Sequence, residues 1–353
     1  MEKLKYTRVE ECCEILDSMR IPITASDRKE GKYPYYGANG IQDYVNDYIF
    51  DDELVLLAED GGNFGSKEKP IAYRVSGKCW VNNHAHVLKP KEEIDVDYLC
   101  YSLMFYKVDG MINGATRKKL TQTAMKKMKI PLRNIVEQKK IVQQLNKIIE
   151  IREKAKKELN LLDNLIQARF VEMFGDPITN SKLLPIEKIE VRYFLKAGIT
   201  TKAEDIHDYL KDKYEIPCYG GNGIRGYVEN LSYEGCYPII GRQGALCGNV
   251  QYATGKFHAT EHAVLVSTLK NDNTMWVYYM LKLMDLYRYH TGAAQPGLAV
   301  KKLNTIDVIV ADINLQNQFA AFVHQINKSK FEVQKSLEKT QLLYDSLMQE
   351  YFG

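Results

Sequence analysis

The sequence predicts an α/β (α+β) protein with a pseudo-two-fold internal repeat, in which two similar globular domains are separated by two long antiparallel helices forming a coiled coil. Two stretches of about forty residues carry apolar side chains in a 4-3 spacing, the seam pattern of a coiled coil. The remaining segments contain short apolar runs divided by glycine-rich turns. A constant offset along the chain relates the two long stretches, which indicates an internal duplication.

Residues 1–133 are predicted to form the first globular domain. Strand-like runs cover residues 53–58 and 71–75, and a helical run covers 96–106. Glycine-rich turns separate these runs, among them residues 60–63. The pattern is typical of a mixed domain in which short strands dominate.

Residues 134–175 are predicted to form the first long helix. Asn134 is a suitable N-cap with Glu137 three residues later, and Gly175 before Asp176 suits the end of a helix. Eight of the ten predicted seam positions are apolar: Ile141, Leu145, Ile148, Arg152, Ala155, Leu159, Leu162, Ile166, Arg169 and Met173.

Residues 176–311 repeat the first domain. The segment YGANGI at 36–41 returns as YGGNGI at 219–224, and His84 returns as His262. The offset between the early pair is slightly larger than that between the later pair, so an insertion or deletion of a few residues lies between them. We therefore predict a second domain with the same fold as the first.

Residues 312–353 repeat the long helix, and Asp312 stands at the cap position that Asn134 has in the first copy. The basic residue in the middle of the seam falls in the same layer, Arg152 in the first copy and Lys330 in the second. Eight of the ten seam positions are again apolar: Phe319, Val323, Ile326, Lys330, Val333, Leu337, Thr340, Tyr344, Leu347 and Tyr351. Two helices with matched seams in one chain are predicted to pair with each other.

The short connections make that pair antiparallel, with one domain expected at each end. A helix of about 40 residues is roughly 60 Å long, because each residue adds ~1.5 Å. This length corresponds to at most about 18 base pairs of DNA at ~3.4 Å each. A rigid spacer between two similar domains suits the reading of two different half-sites a fixed distance apart.

Composition excludes several classes of protein. The net charge of +3 is nearly balanced, so any nucleic-acid surface must be a local cluster. The seven cysteines form no C-x-x-C pair, which argues against a zinc or disulfide framework. The first residues lack a signal-peptide core, and no apolar run is long enough to cross a bilayer, so we expect a cytoplasmic protein without a membrane span.

Local positive charge marks one segment of each domain. Residues 110–136 contain seven basic residues and no acid, and residues 286–306 also lack acids. Such clusters favour phosphate contacts, although a solvated face or a partner contact has the same composition. The predicted contacts here are Arg117, Lys118, Lys119, Lys126, Lys301 and Lys302, and the other basic residues of the two segments are Lys127, Lys129, Arg133, Arg288 and His290.

Sequence reading needs side chains that pair with base edges. Arg117 suits guanine, and the matched position carries Gln295, which suits adenine. Asn63 in EDGGNFG and Arg242-Gln243 in GRQGAL are further candidates, although such glycine-rich stretches are equally consistent with plain hairpin turns. The paired Asn-Gly segments at 39–40 and 222–223 favour tight turns.

No catalytic, cofactor or metal site is predicted. His84 and His86 have no acidic or cysteine ligand at helical spacing, and Glu59-Asp60 is not a nuclease carboxylate set. No glycine-rich loop lies between a clear strand and a helix, so a phosphate loop or an S-adenosylmethionine fingerprint is absent from the pattern.

In its residues the chain resembles the specificity subunits of type I restriction–modification systems. The resemblance covers the whole chain and rests on the domain–helix–domain–helix order, the paired YGANGI and YGGNGI segments, Pro131 seven residues before Gln138, and the exit MFGDP at 173–177. The second copy departs from the pattern, since Ile309 stands where Pro131 stood.

The resemblance implies a non-catalytic protein. Each globular domain would be a target recognition domain that reads one half of a bipartite site in double-stranded DNA. The helices would set the spacing and dock two methyltransferase subunits. Those subunits would bring S-adenosylmethionine, and restriction/translocase subunits would bring ATP-driven translocation and cleavage.

Two other functions fit the same pattern. One is a methyltransferase or nuclease with built-in recognition, against which the missing cofactor fingerprint speaks. The other is a coiled-coil scaffold whose domains bind protein, which would not show salt-dependent DNA binding.

Overall fold

The computed structural model describes residues 4–66, 68–114, 117–210, 213–244, 246–292 and 296–353. The chain divides into two compact units, Met1–Ala155 with Ser336–Gly353, and Lys156–Lys335. Each unit contains one globular domain and adjoining parts of both long helices. The predicted domain boundaries stay a prediction, because this division falls inside the helices.

Among its described residues, the first unit contains ten strands and three short α-helices before the first long helix begins. Its strands are β1 Lys5–Arg8, β2 Cys13–Ile15, β3 Glu30–Gly37, β4 Gly40–Val45, β5 Phe50–Ala58, β6 Ala72–Val81, β7 Ala85–Pro90, β8 Ile112–Asn113, β9 Lys119–Leu120 and β10 Lys129–Leu132. Its helices are α1 Val9–Cys12, α2 Val96–Met104 and α3 Gln122–Lys126, and the long helix α4 spans Ile135–Phe174.

A six-stranded sheet organises this unit, in the order β2-β7-β5-β6-β3-β4. All neighbours are antiparallel except β3 and β6. Val55 and Leu57 of β5 pack in one buried cluster with Leu99 of α2, whereas Leu54 and Leu56 pack in another. Since side chains alternate along a strand, the central strand is buried on both faces.

The second unit repeats this topology. Its strands are β11 Ile186–Lys188, β12 Tyr193–Ala197, β13 Ile216–Gly220, β14 Gly223–Val228, β15 Tyr233–Gly241, β16 Val250–Ala259, β17 Ala263–Thr268 and β18 Asp307–Ile309. Its helices are α5 Ile189–Arg192, α6 Thr274–Leu283 and α7 Val300–Asn304, and the long helix α8 spans Ile313–Phe352. The sheet order β12-β17-β15-β16-β13-β14 matches that of the first unit, with β13 and β16 parallel. The predicted fold class is confirmed.

The long helices begin and end within one residue of the predicted ranges because their caps form as expected. The side chain of Asn134 accepts a hydrogen bond from the amide of Glu137 at 3.0 Å, and Asp312 accepts one from the amide of Asn314 at 2.9 Å. Gly175 follows α4 with φ +80°, the left-handed conformation that favours glycine at this position. None of the described helices combines the length and the apolar character that crossing a membrane requires.

In the first unit the two helices pack antiparallel. Ile141, Leu145 and Ile148 are buried in one cluster with Tyr344 of α8. Further along α4, the guanidinium of Arg152 lies 5.6 Å from the centre of the Tyr344 ring. Because the Tyr351 hydroxyl donates to Gln144 at 2.8 Å, earlier residues of α4 meet later residues of α8.

The second unit shows the same pairing at the other ends of the helices. Phe319 and Val323 are fully buried, and Ile326 packs against them. The ammonium of Lys330 donates to Asp163 at 2.6 Å, so the basic seam position of α8 forms an ion pair with an acid of α4. Ile166 is also fully buried. The predicted seam residues between the two packed ends, Leu159, Leu162, Val333 and Leu337, are half-buried.

The 4-3 pattern fails near the end of α4. Arg169 and Met173 are only half-buried, whereas Phe170 and Phe174, one position later, are fully buried. The ring centres of Phe174 and Trp276 are 5.7 Å apart, so the helix end packs into the core of the globular domain. A core surrounds more of the helix than a single partner does, which moves the buried face away from the seam.

Candidate nucleic-acid interface

Three segments meet beside the end of β5, and we call this place junction 1. They are residues 59–61 after β5, residues 82–84 before β7, and residues 117–120 before α3. Main-chain hydrogen bonds join them: Glu59 N to His84 O at 2.8 Å, Gly61 N to Lys118 O at 3.2 Å, and Leu120 N to Glu59 O at 2.7 Å. The basic segment predicted to contact DNA is therefore fixed by its backbone to the end of a central strand.

The second unit has the same arrangement, here called junction 2. The amide of Arg242 donates to the carbonyl of His262 at 3.1 Å, and the amide of Leu298 donates to the carbonyl of Arg242 at 2.8 Å. The amide of Gly244 donates to Pro296 O at 3.0 Å. These bonds repeat those of junction 1 at the predicted offsets, so the two domains hold their loops on one shared backbone frame.

The side chains of junction 1 form a network of opposite charges. The carboxylate of Asp60 lies 2.8 Å from Nη2 of Arg117 and 2.6 Å from Nδ1 of His84. The ammonium of Lys119 lies 3.0 Å from Oε1 of Glu59. Two of the predicted DNA contacts are thus held by carboxylates, and Lys118 between them is exposed.

A buried layer lies beneath this network. Nη1 of Arg20 donates to Glu59 at 2.6 Å, and Nδ1 of His86 lies 2.7 Å from Asp17. The other ring nitrogen of His86 lies 2.8 Å from the carbonyl oxygen of Leu120, so both ring nitrogens contact oxygen atoms of the protein. The layer therefore ties the basic segment to the sheet.

Hydrogen bonding keeps both acids of this layer ionised. Burial disfavours the charged form of Asp17, but hydrogen bonds from His86 and Gln122 outweigh it and lower the pKa of Asp17. Burial likewise opposes ionisation of Glu59, and hydrogen bonds from Arg20 and Lys119 lower its pKa.

Helical spacing predicts no acidic ligand near His86, but the fold places two acids beside it. The fold brings Asp17, Glu59 and His86 together, with ligand atoms within 4.8 Å of one another. However, Arg20 and Lys119 already neutralise Glu59, and Gln122 donates to Asp17 at 2.9 Å. Protein cations and donors thus occupy the lone pairs that a metal ion would need.

Junction 2 carries different side chains on the same frame. Arg242 takes the place of Glu59 and Gln243 the place of Asp60, and Gln243 is exposed. Neither Nε of Arg242 nor Nδ1 of His262 has a hydrogen-bond partner among the residues that the structure describes. Predicted contact Gln295 lies outside the described residues.

The other predicted contacts are more scattered. Lys301 and Lys302 lie on α7, which follows junction 2 directly, and Lys302 is exposed. Lys126 is half-buried at the end of α3. Asn63 lies in the β5–β6 connection and donates to the carbonyl of Pro70 at 3.5 Å, so it stabilises that loop.

The Asn-Gly hairpin has a structural role beside junction 1. The β3–β4 hairpin closes at the pair Gly37 and Gly40, and Gly40 has φ +109°. The side chain of Asn39 donates to the carbonyl of Gly61 at 2.9 Å. In the second unit the matched Asn222 accepts a hydrogen bond from Asn249 at 2.5 Å.

Sequence reasoning missed the partners of Arg117 at junction 1. The sequence pattern does not connect Asp60 with Arg117, and it does not connect Arg20 with Glu59. A signal was present in the repeat, since Glu59-Asp60 aligns with Arg242-Gln243 at the same offset as the YGANGI and YGGNGI segments. A change of charge inside a duplicated glycine-rich loop marks a position where the two domains differ in local charge.

Comparisons with a family model and with individual known proteins point to the same family. The model of the type I restriction modification DNA specificity domain matches residues 1–161 and 194–342, one copy in each half of the chain. The chain is 46% identical over 133 residues to the type I restriction enzyme EcoprrI specificity subunit of Escherichia coli, which covers 38% of this chain and 33% of that protein.

Two further similarities cover different shares of the chain. A putative type I restriction enzyme specificity subunit of Haemophilus influenzae, S.HindORF215P, is 35% identical over 144 residues, or 41% of this chain and 37% of that protein. The chain thus spans little more than a third of the length of these two relatives in the matched regions. The crystal structure of a type I restriction–modification S subunit from M. genitalium matches in fold with a TM-score of 0.65, at 16% identity over 100% of this chain and 97% of that one.

Proposed function

The chain belongs to the family of type I restriction modification DNA specificity domains, and from this premise we propose that it is the DNA sequence-recognition subunit of a type I restriction–modification complex. Each globular domain reads one half of a bipartite site in double-stranded DNA. The long helices set the spacing between the half-sites and dock two methyltransferase subunits. The observation that carries the proposal is the shared backbone frame of the two junctions with unlike side chains on it.

The chemistry at the junctions supports base recognition over catalysis. Arginine pairs with guanine through two N–H groups, and glutamine pairs with adenine through its amide. Junction 1 presents Arg117, which is 60% exposed at its side chain, and junction 2 presents Gln243 and Arg242. Unlike side chains on equal frames give the two domains unlike half-sites.

The proposal assigns catalysis and cofactors to other subunits. The methyltransferase subunits bind S-adenosylmethionine, and the restriction/translocase subunits bind ATP. The chain itself contributes DNA binding and assembly, and the place of action is the cytoplasm.

The first test is to co-express the full chain with its methyltransferase subunit and map methylated adenines across the host genome. The proposal expects a split motif with two unlike halves and a fixed gap. A short continuous motif would instead favour an enzyme with built-in recognition. A stable complex without methylation would favour the protein-binding scaffold.

A domain exchange tests whether the two halves are independent. Replacing residues 1–133 by the first domain of another family member should change one half of the motif only. The matched exchange of residues 176–311 should change the other half. A change in both halves after either exchange would contradict independent reading.

A further inference from the structure

Arg117 at junction 1 contacts two neighbouring side chains, and these contacts affect which bases the first domain would bind. Nη2 of Arg117 lies 2.8 Å from Oδ1 of Asp60 and 3.5 Å from Nδ1 of His84. Nε and Nη1 of the same guanidinium have no hydrogen-bond partner in the described part of the chain. The Asp60 carboxylate therefore holds Nη2 as an ion pair, without a directed hydrogen bond to Oδ1 among the described residues. Nε and Nη1 stay available for a ligand.

Resting on the proposed function, we propose that Asp60 is a positioning residue: it holds Arg117 in one orientation and thereby sets the base preference of the first domain. The side chain of Asp60 is only 16% exposed, whereas that of Arg117 is 60% exposed. The carboxylate of Asp60 is thus mostly buried, whereas the longer side chain of Arg117, which it holds, is mostly exposed.

The surroundings of Asp60 make it a rigid support. Its backbone forms an antiparallel bridge with Lys119, and the next amide, of Gly61, donates to Lys118. Gly61 has φ +63°, and a Cβ atom there would lie 3.2 Å from Nε of Arg117. The guanidinium consequently packs across a bare stretch of backbone while the carboxylate holds its edge.

Positioning of this kind matters because a free arginine is flexible. A long side chain loses rotamer freedom when it binds, and a neighbour that fixes its orientation beforehand reduces that loss. Bidentate pairing with N7 and O6 of guanine needs two parallel N–H groups, one of them the second N–H of Nη2, so fixing Nη2 fixes the direction in which that pair points. An arginine without its support would still be attracted to DNA but would discriminate less between bases.

The second domain shows that the fold does not require an acid at the position of Asp60. Gln243 occupies the position of Asp60 and forms the equivalent bridge with Gly297. The frame therefore forms without a carboxylate. The acid at position 60 belongs with the arginine at position 117, and the matched positions of the second domain carry Gln243 and Gln295 instead.

The test uses the full chain assembled with its methyltransferase subunit, and it measures methylation rates on a library of sites that differ from the motif by one base pair. The variants are Asp60→Ala, Asp60→Asn, Arg117→Ala and the double variant. Asp43→Asn is the matched control, because it removes a carboxylate from another Asp–Arg pair of the same domain, 3.3 Å from Arg28. The second half-site is the internal control for assembly and folding.

We expect Asp60→Ala to reduce discrimination about 10- to 100-fold at one base pair of the half-site that Arg117→Ala also affects. Asp60→Asn keeps an oxygen acceptor and should restore part of the preference. The double variant should discriminate no worse than Arg117→Ala alone, because Asp60 acts through Arg117.

Three results would overturn the proposal: an unchanged motif with Asp60→Ala, an equal loss at every site in both halves, or a further change of preference when Asp60→Ala is added to Arg117→Ala. Thermal melting of each complex identifies a variant that is simply unfolded, and Asp60→Asn then decides in place of Asp60→Ala. Failure of the proposed function is a separate result, since the unaltered complex would then show no two-part motif at all.

Discussion

Replacing Gln138 tests how α4 is joined to the first domain. Gln138 is fully buried at the start of the helix. Its Oε1 accepts from the amide of Asp95 at 2.8 Å, and its Nε2 donates to the carbonyls of Glu93 and Arg133, each at 2.8 Å. One side chain thus links the helix to the N-cap of α2. We consider Gln138→Met, which keeps the approximate volume and removes all three bonds.

The expected cost follows from which partners are left without a hydrogen bond. Glu93 is exposed and Arg133 adjoins the exposed Asn134, so water can reach both carbonyls, whereas Asp95 is half-buried and its amide has no other acceptor among the described residues. A stranded buried donor costs ~1–3 kcal/mol, and the apolar methionine adds no cavity of note. We therefore expect the first unit to lose about 2 kcal/mol of stability from this one stranded amide.

Hydrogen exchange measures this loss at the site itself. A loss of about 2 kcal/mol corresponds to roughly 30-fold faster exchange of the Asp95 amide, if exchange requires opening of this region. Mass spectrometry of the full chain should show the change in the peptide that covers residues 93–98. Urea unfolding should show a matching shift of the midpoint without a change of slope.

The second unit supplies a matched control. Gln316 repeats the arrangement, accepting from the amide of Asn273 at 2.8 Å and donating to the carbonyl of Ala311 at 3.0 Å. Gln316→Met should accelerate exchange around Asn273 and leave that of Asp95 unchanged. Equal exchange of Asp95 in Gln138→Met and the unaltered chain would refute the reasoning, because it would mean that the buried glutamine does not hold this joint.

Three other variants test separate parts of the molecule. The pKa of Asp17 is lowered in the folded state, so its contribution to stability is present above the ordinary value of ~4 and is lost as the pH falls through the lowered value. The urea midpoint of Asp17→Asn should therefore fall less steeply with decreasing pH than that of the unaltered chain. Parallel curves of midpoint against pH would contradict this. Replacing Lys301 and Lys302 by alanine should reduce the slope of log affinity against log salt by about 0.9 for each phosphate that is no longer neutralised, and an unchanged slope would place both lysines off the DNA. Deleting seven residues from each long helix removes about 10 Å and should shorten the gap in the methylated motif by roughly 3 base pairs, whereas an unchanged gap would remove the spacing role from the helices.

Structural features that follow from a repeating sequence pattern were predictable from the sequence. The 4-3 pattern and the capping residues Asn134 and Asp312 place both long helices to within a residue, because helix geometry and caps are local properties. The duplication predicts that both domains share one topology, and the two sheets have the same strand order. The predicted strand at residues 53–58 lies within β5, which begins three residues earlier at Phe50.

Features that depend on tertiary contact were not predictable in this way. Phe170 is buried where the seam pattern predicts Arg169, because the end of α4 packs into a globular core. A pattern that describes only helix–helix contacts does not predict this core. The layer of Asp17 and His86 joins residues that are far apart in the chain, and no spacing rule connects them. The pairing of Asp60 with Arg117 likewise needs the fold, although the alignment of the two repeats marks position 60 as a point of difference.

The way in which the junctions are held explains how one fold can carry two different sets of loop side chains. The three segments of each junction are joined by main-chain bonds, and these bonds are present with Glu59 in one domain and Arg242 in the other. Side chains at these positions can therefore change without removing the bonds that hold the loops. Because a surface substitution away from buried contacts usually alters stability by less than about 0.5 kcal/mol, the exposed side chains can change while the domain stays folded, as the proposed reading of two unlike half-sites requires. The buried layer under junction 1 sets the boundary of that freedom, since replacing Glu59 leaves Arg20 without its 2.6 Å partner.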